Sequence, residues 1–149
     1  VRRDEFADVK STTMNRPFTI FVLTGALLTT ACTFTVTTPK PPVYNEPVDS
    51  LRAQLRAVVI CERYEVDGKE SSINGKPHSE LDLGIINGHD IPQGDSLGYL
   101  GRTLASTIKQ ALRDTGAYEK YKVSFTTVQV SGGSTTRTST SWTFLSKDL

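Results

Sequence analysis

Sulfur and imidazole are scarce in this chain: two cysteines, one methionine and two histidines among 149 residues. Two cysteines allow at most one disulfide, so any folded part rests on a hydrophobic core rather than on a bridged scaffold. A metal site wants three or four ligands brought together. Only His78, His89, Asp90 and Asp82 can be nominated, on the supposition that the loop between them folds back, and solvated loop residues account for them better. An excess of one charge is also missing. Of 17 basic and 16 acidic residues, four and three precede Cys32, leaving 13 against 13 downstream. Nucleic-acid binding needs a basic footprint on one face or along one helix, and here the lysines and arginines are dispersed among acids. No nucleic-acid partner is expected.

A membrane-spanning run is lacking as well. The one apolar block, residues 18–28, is shorter than the roughly 20 residues a transmembrane helix needs. Its setting is informative: from Met14 the chain reads MNRPFTIFVLTGALLTTAC, with one positive charge at Arg16, the apolar block, then small residues. That is the three-part layout of a secretory signal. The residues before Met14, VRRDEFADVKSTT, put acids where the basic end of a signal should begin. Translation is therefore expected to start at Met14, with residues 1–13 an upstream extension.

The signal ends in LTTAC, which resembles a bacterial lipobox. In that family the signal peptidase cuts immediately before a cysteine that already carries a diacylglycerol thioether. Ala31 supplies the small residue before the cysteine and Thr30 suits the next place back, while Thr29 stands where leucine is usual. The resemblance implies cleavage between Ala31 and Cys32, and lipidation of Cys32 with fatty acyl chains such as palmitate. Residues 14–31 are then the lipoprotein signal peptide. One acyl chain holds a protein only marginally, whereas two or three anchor it stably, and lipoprotein processing supplies several at one residue. Three other readings stay open: ordinary cleavage after Ala31, retention of the apolar block as an anchor, and a Cys32–Cys61 disulfide in an oxidising compartment.

After the cysteine, TFTVTTPKPPVYNEPVDS holds four prolines, Pro39, Pro41, Pro42 and Pro47. Residues 32–47 are expected to form the lipidated cysteine and a proline-rich tether, reaching roughly 45 Å at about 3.1 Å per residue. Residues 48–149 are the folded domain. A short helical turn capped by Asp49 or Ser50 opens it, followed by a strand in RAVVICERYEV with Val58, Ile60, Tyr64 and Val66 on one face. Residues 67–79 form an exposed loop, with Asp67-Gly68 or Asn74-Gly75 able to turn a hairpin. In ELDLGIING, Leu81, Leu83 and Ile85 alternate with polar neighbours, as a half-buried strand requires. Leu97, Leu100, Leu104, Ile108, Ala111 and Leu112 form one helical stripe, with Asp95 or Ser96 as cap and Gly116 past the end. SGGS turns the last hairpin. Tyr121, Val123 and Phe125 share a face on its first strand, and Trp142 and Phe144 align inward on its second. Val128 and Val130 have the opposite parity, which predicts a bulge near Thr126 and Thr127 or a sheet end that twists away.

The expected fold is α+β: a four-stranded, largely antiparallel sheet in ββαββ order with one long helix on one face. Residues 81–149, with IINGHDIP, YEKYKVSF, SGGSTT and WTF, resemble an uncharacterised group of small bacterial envelope lipoproteins. That resemblance implies no catalytic residue.

Chemistry-bearing candidates all have plain structural roles. NGHDIPQGDS precedes a helix but lacks a phosphate loop's Gly-Lys-Ser/Thr ending, and Asp90 and Asp95 repel anions. Ser131 and Ser134 flank turn glycines. Cys61 is a mid-strand thiol with no activating neighbour. No catalytic, cofactor-binding or metal residue is assigned. The expectation is a non-catalytic, lipid-anchored protein of the bacterial cell envelope, facing the periplasm or exterior, held to the membrane at Cys32 and binding a protein or glycan through the open sheet face or a strand edge. Alternatives are a secreted inhibitor or immunity-type protein using residues 67–79, and an enzyme acting on envelope polymers.

Overall fold

Leu81, Leu83 and Ile85 are fully buried, and so are Tyr121, Val123 and, nearly so, Phe125 on the next strand. The alternation in the sequence thus sets one face of a sheet against the core. The computed structural model describes residues 35–149. Its elements are β1 (Thr35–Pro39), α1 (Val48–Val58), β2 (Cys61–Ile73), β3 (Lys76–Gly88), α2 (Asp95–Ala111), β4 (Lys120–Ser131), β5 (Ser134–Leu145) and a closing 3-10 turn at Ser146–Asp148.

The five strands lie in the order β1-β2-β3-β4-β5. All neighbours are antiparallel except β3 and β4, which run parallel from Glu80 beside Lys120 to Ile86 beside Thr126. Parallel neighbours need a crossover, and α2 supplies it. Leu97, Leu104, Ala105 and Ile108 of α2 and Leu51 and Leu55 of α1 bury into one core with the inward side chains of β3 and β4. The helix-free face carries Glu65, Asp67, Asp82, Lys122 and Ser124. The α+β class and the largely antiparallel sheet stand; among the described residues the strand and helix counts are corrected to five and two.

The fifth strand falls inside the expected tether. β1 pairs along β2 from Thr35 opposite Ile73 to Pro39 opposite Lys69. Proline is tolerated because β1 is an edge strand and Pro39 ends it. The following segment is also docked. The Lys40 amide donates to Gly68, the Asn45 amide to Ala111 and the Arg113 amide to Val43. The buried Tyr118 hydroxyl donates to the Lys40 carbonyl at 2.5 Å. Residues 35–47 therefore belong to the domain, and the expectation of an extended spacer through Pro47 is corrected. Ala31 and Cys32, with the upstream extension and signal, lie outside the described residues.

Two further expectations change. Arg56, Ala57 and Val58 end an 11-residue helix rather than begin a strand, because Leu55 is drawn into the core four residues after Leu51. Asp49 and Ser50 make no cap; Asp49 pairs with Arg52 at 3.4 Å. Residues 67–79 are not a loop but the outer half of the β2–β3 hairpin. It turns at Asn74-Gly75, whose φ values of 52° and 76° fit a two-residue hairpin turn. The loop invoked for an inhibitor is thus paired backbone. The SGGS turn forms as expected, with Gly132 and Gly133 at φ 56° and 80°. β4 and β5 stay in continuous register from Lys120 opposite Leu145 to Ser131 opposite Ser134, so there is no bulge. The hairpin runs past the core, and Val130 is 74% exposed.

Candidate functional site

β5 is the outer strand on one side of the sheet, and its two inward aromatics, Trp142 and Phe144, are only half-buried. Among the described residues no strand lies beyond them to complete their cover. Instead the N-terminal half of α2 approaches from above and leaves a groove of about 460 Å³, lined by Asp95, Gly98, Tyr99, Arg102, Trp142 and Phe144.

The helix comes this close because its contact positions are small. A Cβ at position 98 would lie 3.3 Å from Trp142 Nε1, and one at 101 would lie 3.5 Å from two ring carbons of Phe144. Trp142 is braced from below by Phe125, edge-to-face with centroids 6.1 Å apart. Tyr99 stands out from the helix with 73% exposure. Arg102 is held by donation to the Asp148 carbonyl. The groove thus has an aromatic floor, one exposed phenol and an acid and a base at its rim. Such a surface takes an apolar or aromatic side chain with a polar backbone around it.

A charged cluster elsewhere is paired through one lysine. On the helix-free face Lys69 Nζ lies 2.8 Å from both Glu80 and Asp82. Hydrogen bonds donated by the lysine to these two carboxylates, first Asp82 and then Glu80, push it above its ordinary range. The lysine is 41% exposed, so the cluster is a solvated cross-strand pairing that contributes little to stability. Among the described residues the buried Asp82 Oδ1 has no hydrogen-bond partner.

The nominated metal ligands are not brought together. His78, near the start of β3, sits 3.0 Å from Glu119. His89 follows the far end of the same strand, where its amide donates to Ile60. The strand between them spans about 33 Å at about 3.3 Å per residue. Among the described residues, no three His, Cys, Asp or Glu side chains converge on one point. Cys61 is a free thiol at the start of β2, and its Sγ donates to the carbonyl of Arg63 at 3.3 Å. It lies opposite Gly88, one residue before His89. Asp95 and Ser96 open α2 without capping it; Gly94 is the cap residue. Ser131 and Ser134 flank the turn, as read from the sequence.

Sequence reasoning did not find the groove. The signal was present in Gly98 and Gly101, three apart on a helix, and Trp142 and Phe144, two apart on a strand. Nothing in the sequence said that these pairs face each other. Compared with protein-family profiles, curated proteins and solved structures, the chain matches none. Among the described residues no helix is long and apolar enough to cross a membrane.

Proposed function

We propose that this is a lipid-anchored cell-envelope protein acting as a non-catalytic binding module, with the acyl chains on Cys32 and cleavage between Ala31 and Cys32. The observation that carries it is LTTAC placed immediately ahead of a folded domain. Two residues, Thr33 and Phe34, separate Cys32 from β1, a reach of at most about 10 Å. A lipid at that sulfur holds the domain close to the headgroups, not on a long stalk.

The sheet gives that attachment a direction. β1 begins beside Ile73, at the turn between β2 and β3. From there ten residues of β3 lead from Lys76 to Ile86, whose partner on β4 is Thr126, and five more lead to Ser131. At about 3.3 Å per residue the β4–β5 turn lies about 50 Å from the anchored end. The protein then offers β5 and its groove along its flank and the Ser/Thr-rich hairpin at its far end.

The test is metabolic labelling of bacteria with a fatty-acid analogue, comparing wild type with Cys32→Ser. Wild-type protein takes up label and fractionates with membranes, and the variant does neither. Equal labelling of the two overturns the proposal.

A further inference from the structure

We infer that the outer edge of β5, with the groove beside it, takes up an extended segment of another polypeptide as a sixth strand. The inference rests on the binding-module reading and names its ligand class. The juxtaposition that carries it is an unprotected strand edge lying against a side-chain pocket.

The edge comes first. Among the described residues nothing pairs with the outer side of β5. It is 12 residues long, STTRTSTSWTFL, with Arg137 its only charge and no proline. Native edges are usually kept short, charged or interrupted by proline, because a free row of N–H and C=O groups recruits another backbone. The opposite edge obeys that rule: β1 has five residues and ends in Pro39. β5 does not. Only an extended chain satisfies such a row along its length, which selects polypeptide over other ligands.

The groove supplies what the backbone cannot. Alternate side chains of a strand added beside β5 point into the layer that holds Trp142, Phe144 and α2. There they meet the groove under Tyr99. Main-chain bonding gives affinity in such complexes, and a pocket for alternate side chains gives specificity. The aromatic floor fits an apolar side chain, with Asp95 and Arg102 at the rim for polar neighbours.

A second copy of the chain is a poor occupant. A twofold axis pairs two β5 edges antiparallel and so points the second sheet the other way. Its β1 end, and with it Cys32, then faces away from the membrane holding the first copy. Two copies anchored in one leaflet cannot meet so.

The experiment uses the mature full chain, purified from membranes in detergent, as bait for phage-displayed random linear decapeptides. The expected result is a set of peptides sharing one apolar position. N-methylation of alternate backbone nitrogens in a synthetic copy lowers affinity at least about tenfold, through lost main-chain hydrogen bonds. Tyr99→Ala weakens binding about fivefold or more with an unchanged melting temperature. The non-acylated Cys32→Ser protein binds equally, so failure of the lipid reading leaves this result standing, and the reverse. The inference is overturned by no peptide above background, by affinity indifferent to N-methylation, or by sedimentation as a dimer that blocks peptide.

Discussion

Replacing Gly68 by alanine tests whether the proline-rich segment is part of the fold. Gly68 sits mid-strand in β2, where a Cβ would overlap the Lys40 carbonyl oxygen and the Tyr118 hydroxyl and come 2.9 Å from Tyr118 Cε1. The Lys40 oxygen is backbone, and Tyr118 is 1% exposed and edge-to-face with Tyr121 at 6.3 Å. Neither neighbour can retreat without leaving its site. The substitution thus expels Lys40 from β2 and loosens residues 41–45, which continue from it to the end of α2. It costs the Tyr118–Lys40 and Lys40–Gly68 hydrogen bonds, about 0.5–1.5 kcal/mol each, and overpacking adds about 1–3 kcal/mol. The lower chain entropy of alanine returns about 0.4–1 kcal/mol. A net loss of about 2–4 kcal/mol lowers the melting temperature by roughly 10 °C for a domain of this size. Circular dichroism on heating gives the stability, and hydrogen exchange gives the location. The amides of Lys40, Asn45 and Arg113, which donate to Gly68, Ala111 and Val43, lose protection together. A free tether predicts the opposite sign, since alanine then merely improves a strand. A Gly68→Ala protein as stable as wild type, or more so, refutes the docking.

Two other outcomes follow from the core. Leu104→Ala, at a fully buried position, costs about 2–5 kcal/mol, read from urea midpoints. The same change at Leu145, 40% exposed, costs no more than about 0.5 kcal/mol, and equal losses at both sites contradict the packing. Alkali should unfold the domain. Burial first, with phenol or thiol neighbours adding, raises Tyr44 and Tyr64 to about 12; burial likewise raises Tyr121 to about 12. Unfolded phenols release their protons near about pH 10 while the native ones hold them. Stability is therefore complete below about pH 10 and falls as pH rises toward about 12, by up to about 4 kcal/mol per pH unit if three phenols act together. A urea midpoint that stays flat between about pH 8 and 11.5 refutes it.

Local patterns were legible where burial alternates cleanly. Leu81, Leu83 and Ile85 announce β3, the stripe through Leu97, Leu104 and Ile108 announces α2, and the paired glycines at 132 and 133 announce the last turn. What the sequence hid was long-range. β1 reads as polar and proline-interrupted because all five of its residues are exposed; only its hydrogen bonds to β2 make it a strand. Asp67-Gly68 looks as much like a turn as Asn74-Gly75. Gly68 is needed instead for the approach of Lys40, a residue 28 positions earlier. Gly116 was expected past the end of α2, yet the helix stops at Ala111 because Leu112 is buried and bridges to Tyr44. Gly116 serves a local turn on Asp114. The parallel sense of β3 and β4 depends on where α2 packs, not on either strand's residues. The groove was hidden for the same reason, since its walls come from residues 40 or more positions apart.

The direction of β1 has a mechanical consequence. It runs into the sheet from the β2–β3 turn, with its ladder bonds across its length. If Cys32 carries the proposed lipid and the distant hairpin is tugged, tension acts along that strand. Its bonds to β2 are then sheared as a set instead of being unzipped one after another, so the short edge strand at the point of attachment resists the pull cooperatively.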